Sequence, residues 1–197
     1  MANKFKFKYG LLAGILAISG SAAAMDGTVT FKGSVLGSST CGVDIASQNA
    51  AATVDVNDIS LTDASALSVG DADSKDSATF TINLAGCTLP TGKTGVNVTL
   101  ESGIYGDSTY NTYNNYLGQS GGSTASQGIG LAIGERGATT FTPIALDNSS
   151  AVSAFTSSGT GPATTYTKDF SVRYVKVNPV VTTGLFETMM TFSVSYL

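Results

Sequence analysis

The chain has 197 residues, of which 14 are acidic and 10 are basic, and it has no histidine or tryptophan. This length suits one domain. The net negative charge and the lack of a basic cluster exclude nucleic acid as an expected partner, because phosphate binding needs clustered lysine and arginine. The composition is rich in Gly, Ser, Thr, Ala and Val, which favour strands and turns. We therefore expect an all-β fold.

Residues 1–24 have the layout of a secretory signal peptide. Three lysines within residues 4–8 form a positive start, residues 11–18 form an apolar run, and small residues end at Ala24. The apolar run is shorter than the roughly 20 residues that span a bilayer, which argues against the alternative of a membrane anchor. We expect cleavage after Ala24 and export of the remaining chain.

The chain has two cysteines, Cys41 and Cys87. In an exported protein such a pair is most simply a disulfide. A metal site would need more ligands, and a redox pair would usually have C-x-x-C spacing. We expect a structural disulfide that closes a loop of about 46 residues.

Alternation of apolar and polar residues predicts most of the strands. The predicted strands cover residues 28–35, 41–45, 52–56, 79–84, 96–100, 128–134, 141–146, 166–177 and 185–196. Three stretches without such alternation are predicted to be connections, with small turns in the first: residues 55–76, 105–124 and 148–160. Many short strands with regular turn signals favour a single β-sandwich of immunoglobulin type.

The two ends of the chain carry the most distinctive pattern. One face of the N-terminal arm carries apolar or small residues: Gly27, Val29, Phe31, Gly33 and Val35. The C-terminal strand carries a second set, preceded by a glycine fourteen residues from the end: Gly184, Phe192, Val194, Tyr196 and Leu197. The chain stops on this last strand, so we expect that no further strand of its own covers the neighbouring groove.

With these two ends and the two cysteines, the chain resembles the major pilins of the chaperone–usher pathway. The resemblance implies an incomplete immunoglobulin-like β-sandwich that is completed by donor-strand exchange. Residues 25–40 would be the donor-strand extension and residues 41–197 the pilin domain. The family often ends in a polar residue, whereas this chain ends in Leu197. The alternative for residues 27–35 is an ordinary first strand of their own domain.

The resemblance also implies a function. The chain would be a structural subunit of an adhesive surface fimbria, inserting its N-terminal strand into the groove of a neighbour. Expected partners are identical or related pilin subunits, a periplasmic chaperone and an outer-membrane usher, on a route through the periplasm to the cell surface. A minor adaptor, or a tip-associated glycan-binding module that uses the tyrosines of residues 105–116, is the alternative.

Two weaker patterns are set aside. Residues 86–94 look like a phosphate-binding loop, but the glycine spacing is wrong and a strand follows instead of a helix. Asp71, Asp73 and Asp76 could bind Ca²⁺ weakly, although a solvated turn explains them better. We expect no enzyme activity, cofactor or metal.

Overall fold

The computed structural model of the chain describes residues 24–35, 41–45, 51–119, 124–152, 155–161 and 164–197. The predicted signal peptide, apart from Ala24, lies outside the described residues, as do residues 36–40 of the predicted donor extension. Among the described residues, no helix is long and apolar enough to cross a membrane.

The described elements are twelve strands and two short helices. The strands are β1 (Ala24–Val35), β2 (Gly42–Ile45), β3 (Ala51–Ser60), β4 (Ala78–Ala85), β5 (Val96–Glu101), β6 (Gly106–Asp107), β7 (Thr112–Asn114), β8 (Ile129–Glu135), β9 (Asp147–Val152), β10 (Thr156–Ser158), β11 (Thr165–Lys176) and β12 (Phe186–Tyr196). The helices are α1 (Leu61–Ala66) and α2 (Tyr116–Gln119).

The strands form two sheets that pack face to face. One sheet has the order β3-β1-β12-β5-β9, and the other has the order β2-β4-β11-β8-β7-β6, with β10 paired to β11. Apart from β1 and β12, which run parallel, the neighbouring strands pair antiparallel. The predicted all-β, immunoglobulin-like sandwich is confirmed.

The core lies between the two sheets and is built by the period-two alternation of the strands. In β4, Phe80, Ile82 and Leu84 are buried while their neighbours face outward. The Phe80 and Phe170 rings stack with centroids 5.2 Å apart within the seven-stranded sheet. Tyr174 and Phe186 meet edge to face at 6.0 Å and so join the two sheets.

The predicted disulfide is confirmed between Cys41 and Cys87. Cys41 directly precedes β2, and Cys87 lies two residues after β4, at the ends that the β2–β4 ladder brings together. The bond therefore holds the edge strand β2 against the core strand β4.

The predicted connection over residues 55–76 contains more regular structure than expected. Strand β3 continues to Ser60, whose hydroxyl accepts a hydrogen bond from the Asp63 amide and caps the first turn of α1. At the other end of α1, the buried Lys176 ammonium donates to the carbonyls of Ser65 and Leu67. These side chains satisfy backbone groups that a short helix leaves unpaired.

The prediction of a strand over residues 141–146 is wrong, and two strands, β9 and β10, lie instead in the predicted loop 148–160. Residues 141–146 form no strand, although Ile144 and Leu146 are buried in the core. The chain then forms β9, which pairs with the outer edge of β5.

The prediction of a polar loop over residues 105–124 is wrong in part. This stretch contains β6, β7 and α2. Tyr113 is 1 % exposed, and its hydroxyl donates to the Glu101 carbonyl at 2.9 Å. This stretch therefore contributes Tyr113 to the core, although no periodic pattern in the sequence predicts its burial.

Reduction of the disulfide should lower the free energy of unfolding by about 4 kcal/mol, because the unfolded chain gains the entropy of an open loop. Urea unfolding of the purified subunit with and without reductant measures this difference. A variant carrying Cys41→Ala and Cys87→Ala is the control, since reductant should not change its stability. Equal values for oxidised and reduced wild type would contradict a stabilising disulfide.

Stability should fall as the pH rises above about 10 because of Tyr113. Burial, and secondly the Glu101 carboxylate, raise the pKa of Tyr113 above its ordinary value of 10.0. The Tyr113 hydroxyl would ionise near that pH in the unfolded chain but keep its proton in the folded chain. Its contribution to stability is therefore present below about pH 10 and is lost as the pH rises above that value. Tyr113→Phe should flatten this decline in alkaline urea titrations, whereas Tyr110→Phe should leave it unchanged.

Candidate functional site

Strand β1 lies between β3 and β12 and joins them into one sheet. It pairs antiparallel with β3 and parallel with β12. No ladder between β3 and β12 themselves occurs among the described strands, and β3 pairs there only with β1. Without β1, both strands would therefore present unpaired backbone edges to a gap, which we call the groove.

The floor of the groove is apolar. The buried residues of β12 are Phe186, Thr188, Met190, Phe192 and Val194, and those of β3 are Ala52, Val54, Val56 and Ile59. Thr188 is the polar member, and its hydroxyl donates to the Asn114 carbonyl at 2.8 Å. An empty groove would expose these side chains to water, at a cost of about 25 cal/mol for each Å² of apolar surface.

The ladder places the five predicted donor positions opposite the buried residues of β12. Gly27 lies opposite Phe186, and the register continues in steps of two to Val35 opposite Val194. At the centre, Phe31 lies opposite Met190 and Ala52. In this structure, the arm that completes the sandwich thus belongs to the same chain.

The C-terminal end of β12 is held by contacts that do not involve β1. The Tyr196 hydroxyl lies 3.7 Å from Cys41 Sγ, next to the disulfide. The amide of Leu197 donates to the Gly95 carbonyl, and the amide of Thr94 donates to the Leu197 carbonyl, both at 3.0 Å. These contacts hold the last strand in place independently of the groove.

Gly184 fixes the other end of β12. Its φ of +150° is a conformation that L side chains rarely adopt. A Cβ at this position would collide with the Thr124 carbonyl oxygen and would lie 2.6 Å from backbone atoms of Ala125 and Ser126. The glycine therefore allows the backbone before β12 to approach residues 124–126 closely.

Asn115 fastens the same end through its side chain. Its Nδ2 donates to the carbonyls of Ser126 and Leu185, and its Oδ1 accepts from the amide of Glu187 at 3.0 Å. The side chain is buried, so these bonds are shielded from water. Sequence reasoning missed Asn115, because an asparagine in a polar stretch carries no signal of burial.

A cavity of about 190 Å³ lies beside the groove on the outer face of the five-stranded sheet. It is lined by Thr30, Tyr105, Tyr116, Glu187, Thr188 and Met189. The rings of Tyr105 and Tyr116 meet edge to face with centroids 5.3 Å apart. Two of the four tyrosines noted in the sequence thus lie at the seam between β1 and β12.

A comparison with protein families matches residues 29–197 to the family described as Fimbrial protein. The chain belongs to the fimbrial protein family. The matched range begins inside β1 and includes all of β3 and β12, so the family pattern spans both walls of the groove and most of the strand between them. A comparison with curated proteins finds no match.

Membership in the fimbrial family makes this chain a structural subunit of a cell-surface fimbrium, which self-associates with other subunits. The predicted resemblance to a fimbrial pilin is confirmed at this level. Fimbrial proteins are structural rather than enzymatic.

The motifs set aside in the sequence have structural roles. Residues 86–94 hold Cys87 and a turn in which the Lys93 amide donates to the Pro90 carbonyl, and β5 follows. In the acidic stretch, Asp76 pairs with Arg173 at 2.7 Å. No group of three acidic, cysteine or histidine residues that could hold a metal occurs in the described part of the chain.

Gly184→Ala should lower the free energy of unfolding by about 3–5 kcal/mol, since backbone strain adds to the collision with residues 124–126. Gly137→Ala is the matched control. Gly137 also has a positive φ, of 85°, but no heavy atom lies within 4 Å of its added Cβ. It should cost only about 1–2 kcal/mol. Equal losses for the two variants in urea unfolding would refute the close-approach role of Gly184.

Proposed function

We propose that this fimbrial subunit polymerises by donor-strand exchange, in which β1 of one copy enters the groove between β3 and β12 of another. The observation that carries the proposal is the position of β1. It is an inner strand of its sheet, yet it is the first strand of the chain, and its neighbour β12 is held by other contacts.

The N-terminal position of β1 makes exchange physically simple. A terminal strand can leave its sheet and enter the same groove of a second copy without rethreading any other element, as in domain swapping. Each copy then keeps its sandwich complete, because one strand is lost and an equivalent strand is gained. Repetition of this step produces a linear, head-to-tail fibre.

Register in the exchanged ladder would be specified by alternation. The donor positions 27, 29, 31, 33 and 35 carry glycine, valine or phenylalanine, while Thr28, Thr30, Lys32 and Ser34 lie between them. A slip of one residue would direct threonine and lysine toward the apolar floor of the groove. Backbone hydrogen bonds would supply affinity, and alternate side chains would supply specificity.

The intramolecular form of β1 would act as a closed state of the subunit. A strand tethered to its own groove competes at a high effective concentration with a strand from another copy. Assembly would therefore need a partner that keeps the groove open. We propose that a periplasmic chaperone does so by inserting a strand of its own. At an outer-membrane usher, the β1 strand of the next subunit would then replace the chaperone strand.

A place within the shaft of the fimbria suits this chain best. An inner shaft subunit needs both a strand to donate and a groove to receive one, and β1 together with the β3–β12 groove supplies both. We propose the order of a signal peptide over residues 1–24, a donor extension over residues 25–40 and a pilin domain over residues 41–197.

Phe31→Asn should reduce fibre formation by tenfold or more, because loss of one buried phenylalanine costs about 1.5–3 kcal/mol and a factor of ten corresponds to about 1.4 kcal/mol. Gly33→Leu should have a similar effect, since its position lies opposite Phe192. Thr28→Asn is the matched control on the alternate positions and should assemble normally. Electron microscopy of the cell surface and blots of sheared fibres measure assembly.

The level of each variant in the periplasm separates assembly from folding. We expect similar periplasmic levels for Phe31→Asn, Gly33→Leu and Thr28→Asn, with fibres only from the last. Normal fibres from both groove-facing variants would overturn the proposal. The arm would then be an ordinary first strand of its own domain.

A further inference from the structure

The cavity at the seam between β1 and β12 is acidic and aromatic. It combines the half-buried Glu187 with the rings of Tyr105 and Tyr116, and Tyr116 is 39 % exposed. Of the six residues that line it, only Thr30 comes from β1, whereas the other five belong to β12 or to residues 105–116. The acid and the two rings are therefore supplied by the body of the subunit and not by its N-terminal arm.

The two tyrosines leave aromatic surface available inside the cavity. Their rings meet edge to face, with an angle of 73° between the ring planes. In such a pair the edge of one ring lies against a face of the other, so the faces of the first ring stay free of their partner. A ring face is negative, and it attracts a cation that lies within about 6 Å of the ring centroid.

A second carboxylate lies on the same outer face as Glu187. Thr28 pairs with Glu187 on one side and with Asp55 on the other, and directly opposed residues share one face of a sheet. The Cα atoms of Asp55 and Glu187 are thus two strand spacings apart, or about 10 Å. Neither carboxylate has an ion-pair partner among the side chains that the structure describes. Their charges therefore add to one negative field over the cavity.

Size and charge together select the class of ligand. The volume of about 190 Å³ is smaller than the roughly 300–1,000 Å³ of sites for drug-sized molecules, so it suits the end of a narrow chain. An anion would be repelled by Glu187 and Asp55. A neutral sugar would stack on a tyrosine without neutralising either carboxylate. A primary ammonium group on an alkyl chain satisfies the carboxylate, the rings and the narrow volume at once.

We propose that this cavity binds the ammonium end of an alkylamine, either a free amine or a lysine side chain. The ammonium group donates hydrogen bonds to the Glu187 carboxylate, and the methylene groups lie against Tyr105, Tyr116 and Met189. In a diamine, the second ammonium group is attracted by Asp55. The inference goes beyond the proposed function, because amine binding does not require donor-strand exchange. A fibre would repeat the site once in each subunit and so bind a polyvalent cation with added strength.

Titration of the isotope-labelled full chain with small probes, followed by nuclear magnetic resonance, tests the ligand class. Butylamine should shift the signals of Glu187 and of the Tyr116 ring, whereas butanol, which has the same chain length but no charge, should not. Diaminobutane should bind about two- to threefold more tightly than butylamine, because Asp55 attracts its second charge. Equal binding of butanol and butylamine would overturn the inference.

A fourth probe distinguishes the two sources of the ammonium group. It is a lysine whose backbone amino and carboxyl groups are both blocked. Tighter binding of this probe than of diaminobutane would identify a protein lysine as the ligand, and the reverse order would identify a free diamine. Failure of all three cationic probes to shift Glu187 and Tyr116 would overturn the site.

Substitutions in the full chain test the two halves of the site. Glu187→Gln should weaken butylamine binding by about five- to tenfold, and Tyr116→Leu, which keeps an apolar wall, by about threefold. Glu101→Gln is the matched control. Glu101 pairs with Thr191 on the same sheet face, about 13 Å along the strand from Glu187, and its substitution should not change the affinity. Thermal unfolding verifies that the variants fold. Equal affinities for Glu187→Gln and Glu101→Gln would refute the proposed contact.

Discussion

The sandwich depends on the backbone hydrogen bonds that β1 makes on both of its sides. An inner strand of a sheet cannot be removed without leaving two rows of unpaired amide and carbonyl groups beside an apolar floor. Here that inner strand is the N-terminal arm, and its removal would also separate β3 from the rest of its sheet. The sandwich therefore needs a strand in the groove to be complete.

The β12 wall of the groove is held by contacts that β1 does not make. Gly184 and Asn115 hold the start of β12 against residues 124–126, and Tyr196 holds its end near the disulfide. These contacts lie outside the β1 ladder. The β12 wall is thus held by groups outside the ladder, whereas β3 depends on β1 for its place in the sheet.

Sequence periodicity predicted the strands whose faces differ in polarity. Residues 79–84 and 185–196 alternate clearly, and the corresponding strands β4 and β12 bury every second residue. The disulfide and the apolar face of the arm are also predictable from the sequence, because each depends on residue type at a fixed spacing. Alternation does not predict that the arm lies in a sheet of its own chain, because it shows that a strand has two faces and not which strands lie beside it.

The failures have a common physical cause. Residues 141–146 carry apolar side chains into the core without forming a ladder, and the polar residues of β9 form a ladder at a sheet edge. In the first segment side chains are buried without strand pairing, and in the second a strand pairs without an apolar pattern. Apolar periodicity therefore predicts a strand in the first segment and a loop in the second, and both predictions are wrong. Tyr113 and Asn115 were missed for a related reason, because their burial comes from chain segments distant in sequence, including Glu101 and Leu185.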